Sequence, residues 1–176
     1  NLDGLKDVFI GGGLGVSGRL AIQNKDGSFS DSRSDVFANH SAEADAGAVF
    51  HDWNRDGFPD LFVARYALRP THQTGKSGHS LYLNDQKGGW ISDTVSPLPD
   101  SQTQANTVAA GDMDQDGDID MFIGGSALLG KFPVPTESQL WVWDRDRFID
   151  RTPTEFSTLG IIQDAKWCDL NQDQRL

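Results

Sequence analysis

The sequence has a single cysteine, Cys168, which excludes a framework of intrachain disulfides. No stretch approaches 18 consecutive apolar residues, so no membrane insertion is expected. Basic residues are also few, because 15 Lys and Arg stand against 26 Asp and Glu, for a net charge of −11. This imbalance argues against nucleic acid or an anionic lipid surface as a partner.

Glutamate is scarce as well, with three Glu against 23 Asp. Glu favours helices, whereas Asp favours caps, turns and oxygen-rich metal loops. Glycine is abundant, at 19 residues, and no helical period of any length is present. The sequence therefore predicts an all-β fold with its negative charge concentrated in turns.

The sequence shows no recognisable grouping of catalytic residues. The four histidines are scattered, and no serine lies in a nucleophile elbow. Pairs of Asp resemble acid/base dyads, but metal coordination explains their spacing. We therefore do not expect an enzyme.

An aspartate-rich motif repeats along the chain. DWNRDGFPD at 52–60 and DMDQDGDID at 112–120 both fit D-x-[DN]-x-D-G-x-x-D. The residues from 169 onward begin the same motif, and 1–7 fit it from its third position. The fifth-position aspartates are separated by 53, 60 and 57 residues. The predicted repeats are 1–51, 52–111 and 112–168, with the start of a fourth at 169–176.

The flanks of the motif repeat too. An apolar triplet follows each of the first three loops, and the segments AGAVFHD, TVAAGD and DAKWCD precede the last three. Each repeat reads as four short strands, and the small residues before the second and third loops suit a crowded innermost strand. A four-stranded unit of this period predicts β-propeller blades, that is, four-stranded antiparallel sheets. A β-solenoid is the alternative, but its repeats are shorter.

Oxygen ligands at alternate positions predict Ca²⁺, which takes six or more oxygens. The second loop offers Asp52, Asn54, Asp56, the carbonyl of Phe58, and Asp60. The third loop offers Asp112, Asp114, Asp116, the carbonyl of Asp118, and Asp120. The terminal loops offer Asn1, Asp3 and Asp7, and then Asp169, Asn171 and Asp173.

Two other structures are compatible with an aspartate-rich loop, an EF-hand and a turn without metal. An EF-hand needs Glu at its twelfth position, where this chain has Val63 and Ile123. Turns held only by side-chain hydrogen bonds would leave close carboxylates repelling one another. Because ligand charge tunes affinity, we expect the third loop to bind more tightly than the second.

The motif, its strands and the Gly124-Gly125 pair resemble FG-GAP or VCBS-type repeats of integrin alpha chains and bacterial surface proteins, most closely bacterial VCBS proteins. The resemblance covers essentially the whole chain. It implies a propeller usually of seven blades, whose calcium loops join the first and second strands of each blade. This chain would supply about three repeats, and the rest would come from the same or a neighbouring chain.

Several residues were candidates for ligand contact. The segment 65–79 carries Arg65, Arg69, His72, Lys76 and His79, and reads either as a recognition loop or as a solvated loop balancing charge. Tryptophans could stack on sugars or fill the core, with Trp53 the best candidate for exposure. We expect Cys168 to be buried in a strand. Asn39 begins a glycosylation sequon.

Together these features predict a calcium-binding module for extracellular recognition or adhesion, with calcium in a structural role. The resemblance places it outside the cell or at its surface, with the periplasm as an alternative. Its partner would be an extracellular protein or glycan. Alternative functions are a carbohydrate-binding lectin, a structural subunit of a surface filament, and the propeller domain of a polysaccharide-degrading enzyme.

Overall fold

The structure is a computed structural model that describes residues 2–32, 35–38, 43–67, 78–93 and 98–173. Within these ranges the chain forms eleven strands, one helical turn and one 3-10 helix. The strands are β1 (Val8–Ile10), β2 (Arg19–Gln23), β3 (Phe29–Ser32), β4 (Glu43–His51), β5 (Asp60–Ala67), β6 (Ser80–Asn84), β7 (Trp90–Ser92), β8 (Ala105–Gly111), β9 (Asp120–Gly125), β10 (Gln139–Asp144) and β11 (Arg147–Asp150). The helical turn α1 is Asp35–Ala38, and the 3-10 helix is Thr154–Thr158.

The strands form three antiparallel sheets in chain order. The first sheet is β1-β2-β3, the second is β4-β5-β6-β7, and the third is β8-β9-β10-β11. The all-β fold is therefore confirmed, and the two complete sheets have the four-stranded form of propeller blades. The predicted repeats at 52 and 112 begin at the loops, whereas the second and third sheets begin one strand earlier, with β4 and β8.

The apolar triplet after each complete loop forms the second strand of its sheet. Leu61, Phe62 and Val63 are fully buried, because Phe62 packs into one hydrophobic cluster and Leu61 and Val63 into another on the opposite face of the sheet. In the first sheet, by contrast, Val8 and Ile10 are 44% and 42% exposed. Among the described residues β1 pairs only with β2, so its other edge is uncovered.

The first strands of the two complete sheets, β4 and β8, pack against each other. A Cβ added to Gly47 would come within 2.8 Å of Cγ1 of Val108, so this contact requires a small residue. Both strands also carry a bulge at the corresponding place, between Asp45 and Gly47 and between Ala105 and Thr107. The crowded innermost strand expected from the sequence is present.

Two aromatic-rich clusters join the sheets face to face. Between the second and third sheets, Phe148 packs on Trp143 and Phe62, with ring centroids 4.9 and 5.8 Å apart. Between the first and second sheets, Phe37 packs edge-on against Tyr82 at 5.0 Å. The core role weighed for the tryptophans is correct for Trp141 and Trp143.

Two expectations about individual residues are wrong. Trp53 is 2% exposed, because its ring lies between the second and third sheets. Cys168 is exposed, and the DAKWCD segment around it forms no strand. In β4 and β8 the corresponding segment pairs with the strand after its loop. The described residues contain no such strand after the fourth loop.

Candidate metal-binding loops

The two complete loops occupy equivalent places in the fold. Residues 52–60 connect β4 to β5, and residues 112–120 connect β8 to β9. The described part of the first loop, residues 2–7, leads into β1 in the same way. The loops thus join the first and second strands of their sheets, as the resemblance implied.

The third loop brings three carboxylates together. Ligand oxygens of Asp112, Asp114 and Asp116 all lie within 4.8 Å of one another. The Oδ2 atom of Asp112 accepts the amide of Gly117 at 3.1 Å. Its Oδ1 atom is buried, and no hydrogen-bond donor in the described part of the chain reaches it. A buried acceptor beside two other carboxylates is an arrangement that could hold a metal ion.

The ninth-position aspartates, also predicted ligands, make hydrogen bonds that close the loops. Asp120 accepts the amides of Met113 at 2.9 Å and Trp143 at 3.0 Å, using both carboxylate oxygens. Asp60 accepts the amides of Trp53 at 3.1 Å and Asn84 at 3.0 Å. These bonds close each loop and tie it to the third strand of its sheet.

Both of these aspartates are fully buried, and burial raises the pKa of each. Asp120 does not belong to the group of converging carboxylates. In the first loop, Oδ1 of Asp7 accepts the amide of Gln23 at 3.0 Å, which is the same link to the third strand position.

The fifth-position aspartates form the same turn in three loops. Their Oδ1 atoms accept the amide two residues onward, at 2.8 to 2.9 Å. The pairs are Asp3 with Leu5, Asp56 with Phe58, and Asp116 with Asp118. This shared bond fixes the amide at the seventh position in the same way each time.

An amide replaces one carboxylate in the second loop. Asn54 donates Nδ2 to Asp56 at 3.1 Å, and its Oδ1 accepts the Asp56 amide at 3.0 Å. Gln86 also donates to Asp56, at 2.9 Å, and this bond is the main reason that the pKa of Asp56 is lowered. In the fourth loop, Asn171 donates to Asp173 at 2.9 Å, which repeats the Asn54 contact.

Left-handed backbone occurs at two positions of the motif. The sixth-position glycines, Gly4, Gly57 and Gly117, have φ of +83°, +90° and +90°. No heavy atom lies within 4 Å of a Cβ built on them, so conformation rather than space requires glycine. The fourth position is left-handed in all four loops, at Leu2 (60°), Arg55 (58°), Gln115 (65°) and Gln172 (60°). No glycine marks this position, so the sequence did not predict it.

The second and third loops are in direct contact. Nη2 of Arg55 bonds both carboxylate oxygens of Asp118, at 2.7 and 2.8 Å, and this hydrogen bonding raises the pKa of Arg55. The indole Nε1 of Trp53 donates to the carbonyl of Ile119 at 3.4 Å. Sequence reasoning missed Arg55, because a cation at the fourth position carries no recognisable signal.

Arg65 and His79, both considered for ligand recognition, lie in the interior. Arg65 is 2% exposed and donates to Asp45 at 2.9 Å, Ser80 at 2.6 Å and Tyr82 at 2.7 Å. His79 accepts the Arg65 amide, and burial lowers its pKa to about 3. Neither side chain is available to a ligand. Asn1, Arg69, His72, Lys76 and the sequon at Asn39 lie outside the described residues.

At the opposite ends of the strands, apolar side chains are exposed. Leu14 and Val16, between β1 and β2, are 73% and 65% exposed, and Phe132, between β9 and β10, is 82% exposed. Phe132 and Tyr66 border a cleft of about 760 Å³ whose floor includes alanines of β4 and β8. This size is in the range of small-molecule sites.

Comparison with known proteins agrees with the loop geometry. Residues 1–63 match the model of the FG-GAP-like repeat family. No curated protein and no solved structure matches the chain. The match supports the FG-GAP/VCBS resemblance, and such repeats indicate a β-propeller module and typically occur in extracellular proteins. Among the described residues, no helix is long and apolar enough to span a membrane.

Proposed function

We propose that this chain is a calcium-binding β-propeller module for extracellular recognition or adhesion, in which calcium stabilises the blades. Two observations at one place carry the proposal: ligand oxygens of Asp112, Asp114 and Asp116 lie within 4.8 Å of one another, and Oδ1 of Asp112 is buried and accepts no hydrogen bond among the described residues. Three close carboxylates repel one another unless a cation neutralises them.

The donor set fits calcium in its chemistry. Carboxylate and carbonyl oxygens are the ligands of a hard cation, whereas zinc prefers nitrogen and sulfur. Asp112, Asp114, Asp116 and the Asp118 carbonyl would hold the ion in the third loop. Asp52, Asn54, Asp56 and the Phe58 carbonyl would hold it in the second. Asp60 and Asp120 keep the loops closed through their amide bonds, and each carboxylate oxygen retains a further lone pair available to an ion.

Calcium titration by isothermal calorimetry tests the proposal. The intact chain should bind calcium at micromolar to millimolar concentration, and an Asp112→Asn, Asp114→Asn double variant should lose one site. Asp164→Asn is a control, because Asp164 is exposed, contacts only its near neighbours Ala165 and Lys166 among the described contacts, and lies outside the loops. Absence of calcium binding in the intact chain would refute the proposal, as would equal loss of binding in the control.

Recognition is proposed to use the end of the strands opposite the loops. The exposed ring of Phe132, the cleft beside it and the exposed Leu14 and Val16 support this assignment. Large exposed apolar side chains grouped on one face are typical of interaction sites. A pull-down from extracellular material, with the intact chain and the Phe132→Ala variant as separate baits, tests this assignment. The variant should retain less of any partner that binds at this end.

A lectin is the second candidate. Aromatic faces stack on sugar rings, and Phe132 and Tyr66 border the same cleft. Trp53, Trp141 and Trp143 are buried and do not serve this purpose. A glycan array comparing the intact chain with Phe132→Ala distinguishes the two: loss of a glycan signal supports a lectin, and an array with no signal for the intact chain argues for a protein partner.

A further inference from the structure

The contact between the second and third loops joins residues that lie inside two proposed calcium sites. Arg55 lies between Asn54 and Asp56, both proposed ligands of the second loop. Its guanidinium reaches 63 residues along the chain to the carboxylate of Asp118. Asp118 is the seventh residue of the third loop, whose backbone carbonyl is a proposed ligand there.

Asp118 is held from two directions. Its amide donates to Asp116 within its own loop at 2.8 Å, while its side chain, 10% exposed, is bound by Arg55 from the neighbouring loop. The next residue, Ile119, accepts the indole N–H of Trp53, which is also in the second loop. The position of the Asp118 carbonyl therefore depends on how both loops are folded.

Arg55 in turn depends on its own loop. Its backbone is left-handed, with φ of 58°, a conformation that a non-glycine residue keeps only when its surroundings enforce it. A cation held by Asn54 and Asp56 would fix the backbone on both sides of Arg55. That would place the guanidinium where it meets Asp118.

We propose that the second and third loops bind calcium as a coupled pair, with the Arg55–Asp118 ion pair as the link. The inference rests on the proposed function, since it takes both loops as calcium sites. Filling either loop orders one half of the ion pair, so each ion favours the other, and the effect is reciprocal. Because the Arg55 side chain is 69% exposed, the ion pair should couple the sites by about two- to fivefold in affinity.

Site-resolved titration by NMR tests the coupling. The amides of Gly57 and Gly117 each donate to the first aspartate of their own loop, so their chemical shifts report the two loops separately. Disabling the second loop with Asp52→Asn and Asp56→Asn should raise the calcium midpoint of Gly117 about two- to fivefold. Adding Arg55→Gln to that variant should change the midpoint no further.

In the otherwise intact chain, Arg55→Gln should make the two titrations independent, whereas Arg19→Gln should leave the coupling intact. Arg19 is a control because it is likewise a largely exposed arginine paired with an aspartate, Asp31, but in the first sheet and outside both loops. A Gly117 calcium midpoint that stays the same when the second loop is disabled overturns the coupling. Coupling of unchanged size in the Arg55→Gln variant overturns it too. If neither amide responds to calcium in the intact chain, the proposed function itself fails, and the coupling with it.

Discussion

The indole N–H of Trp53 donates to the backbone carbonyl of Ile119, 66 residues further along the chain, at 3.4 Å. Trp53 is the second residue of its loop, and its ring packs against Trp143 and Phe148 of the third sheet. One side chain thus joins a proposed calcium loop to the core between two blades. Loop and core are therefore expected to respond together when either is altered.

Replacing Trp53 with alanine should lower the free energy of unfolding by about 3–5 kcal/mol, because it opens a cavity between two sheets. Urea denaturation at saturating calcium measures this. Phe132→Ala is the comparison, since Phe132 is 82% exposed and should change stability by no more than about 0.5 kcal/mol. Equal effects of the two substitutions would mean that Trp53 does not join the sheets.

Gly117→Ala should destabilise the chain by about 1 kcal/mol, because a residue with a Cβ is strained in the left-handed backbone at φ of +90°. The loop would also hold calcium less well. Gly13→Ala is a matched control: a Cβ there meets no atom within 4 Å, and its φ is outside the left-handed region. Thermal melts of both variants should separate them, and a neutral Gly117→Ala would contradict the loop geometry.

The third loop should bind calcium more tightly than the second. It presents carboxylates at its first, third and fifth positions, whereas the second has the amide of Asn54 at the third. Exchanging the third-position residues, Asp114 and Asn54, tests whether ligand charge sets the order of affinity. Asp114→Asn should weaken the third loop by about tenfold, and Asn54→Asp should strengthen the second similarly, from roughly 1–2 kcal/mol of Coulomb energy. Calorimetry showing the unaltered second loop to be tighter would reject this order.

His79 should make the chain sensitive to mild acid. Burial, and to a smaller extent the charge of Arg65, lowers its pKa to about 3 from an ordinary value of 6.5. Between these values the unfolded chain binds a proton that the folded chain does not. The stability that neutral His79 gives the folded chain is therefore complete above pH 6.5. It is lost as the pH falls toward 3, by up to about 1.4 kcal/mol of unfolding free energy per pH unit.

The test for His79 is the unfolding free energy measured from pH 7 to pH 4.5 with calcium saturating. His79→Asn keeps an acceptor for the Arg65 amide but removes the titrating ring, so its stability should fall less steeply with acid than that of the intact chain. Parallel curves for the two proteins would show that His79 does not contribute to the acid response.

The sequence predicted the features whose causes are local. The grouping of Asp112, Asp114 and Asp116 and the buried apolar triplet at 61–63 each arise within one short segment, and the structure has both. Small residues in β4 and β8 also indicated a crowded strand. The repeats make each of these features recognisable, because the same residue types recur at the same positions of several loops.

The errors concern contacts between distant segments. The burial of Trp53 depends on the third sheet, and the pairing of Arg55 with Asp118 depends on how two blades align. Arg65 was expected in a loop over 65–79, whether for recognition or solvated, yet Asp45, 20 residues earlier, holds it in the interior. Cys168 was expected in a strand, but the described residues supply no partner for one.

Thermal unfolding with millimolar calcium and with excess EDTA tests the central claim most directly. If the two complete loops each bind calcium at about 100 times the dissociation constant, they add about 5 kcal/mol together. For a chain of this size that corresponds to roughly 10 °C or more in melting temperature. The Asp112→Asn, Asp114→Asn variant should show about half that shift, and magnesium should not replace calcium. Identical melting curves in calcium and EDTA would contradict a structural role for calcium.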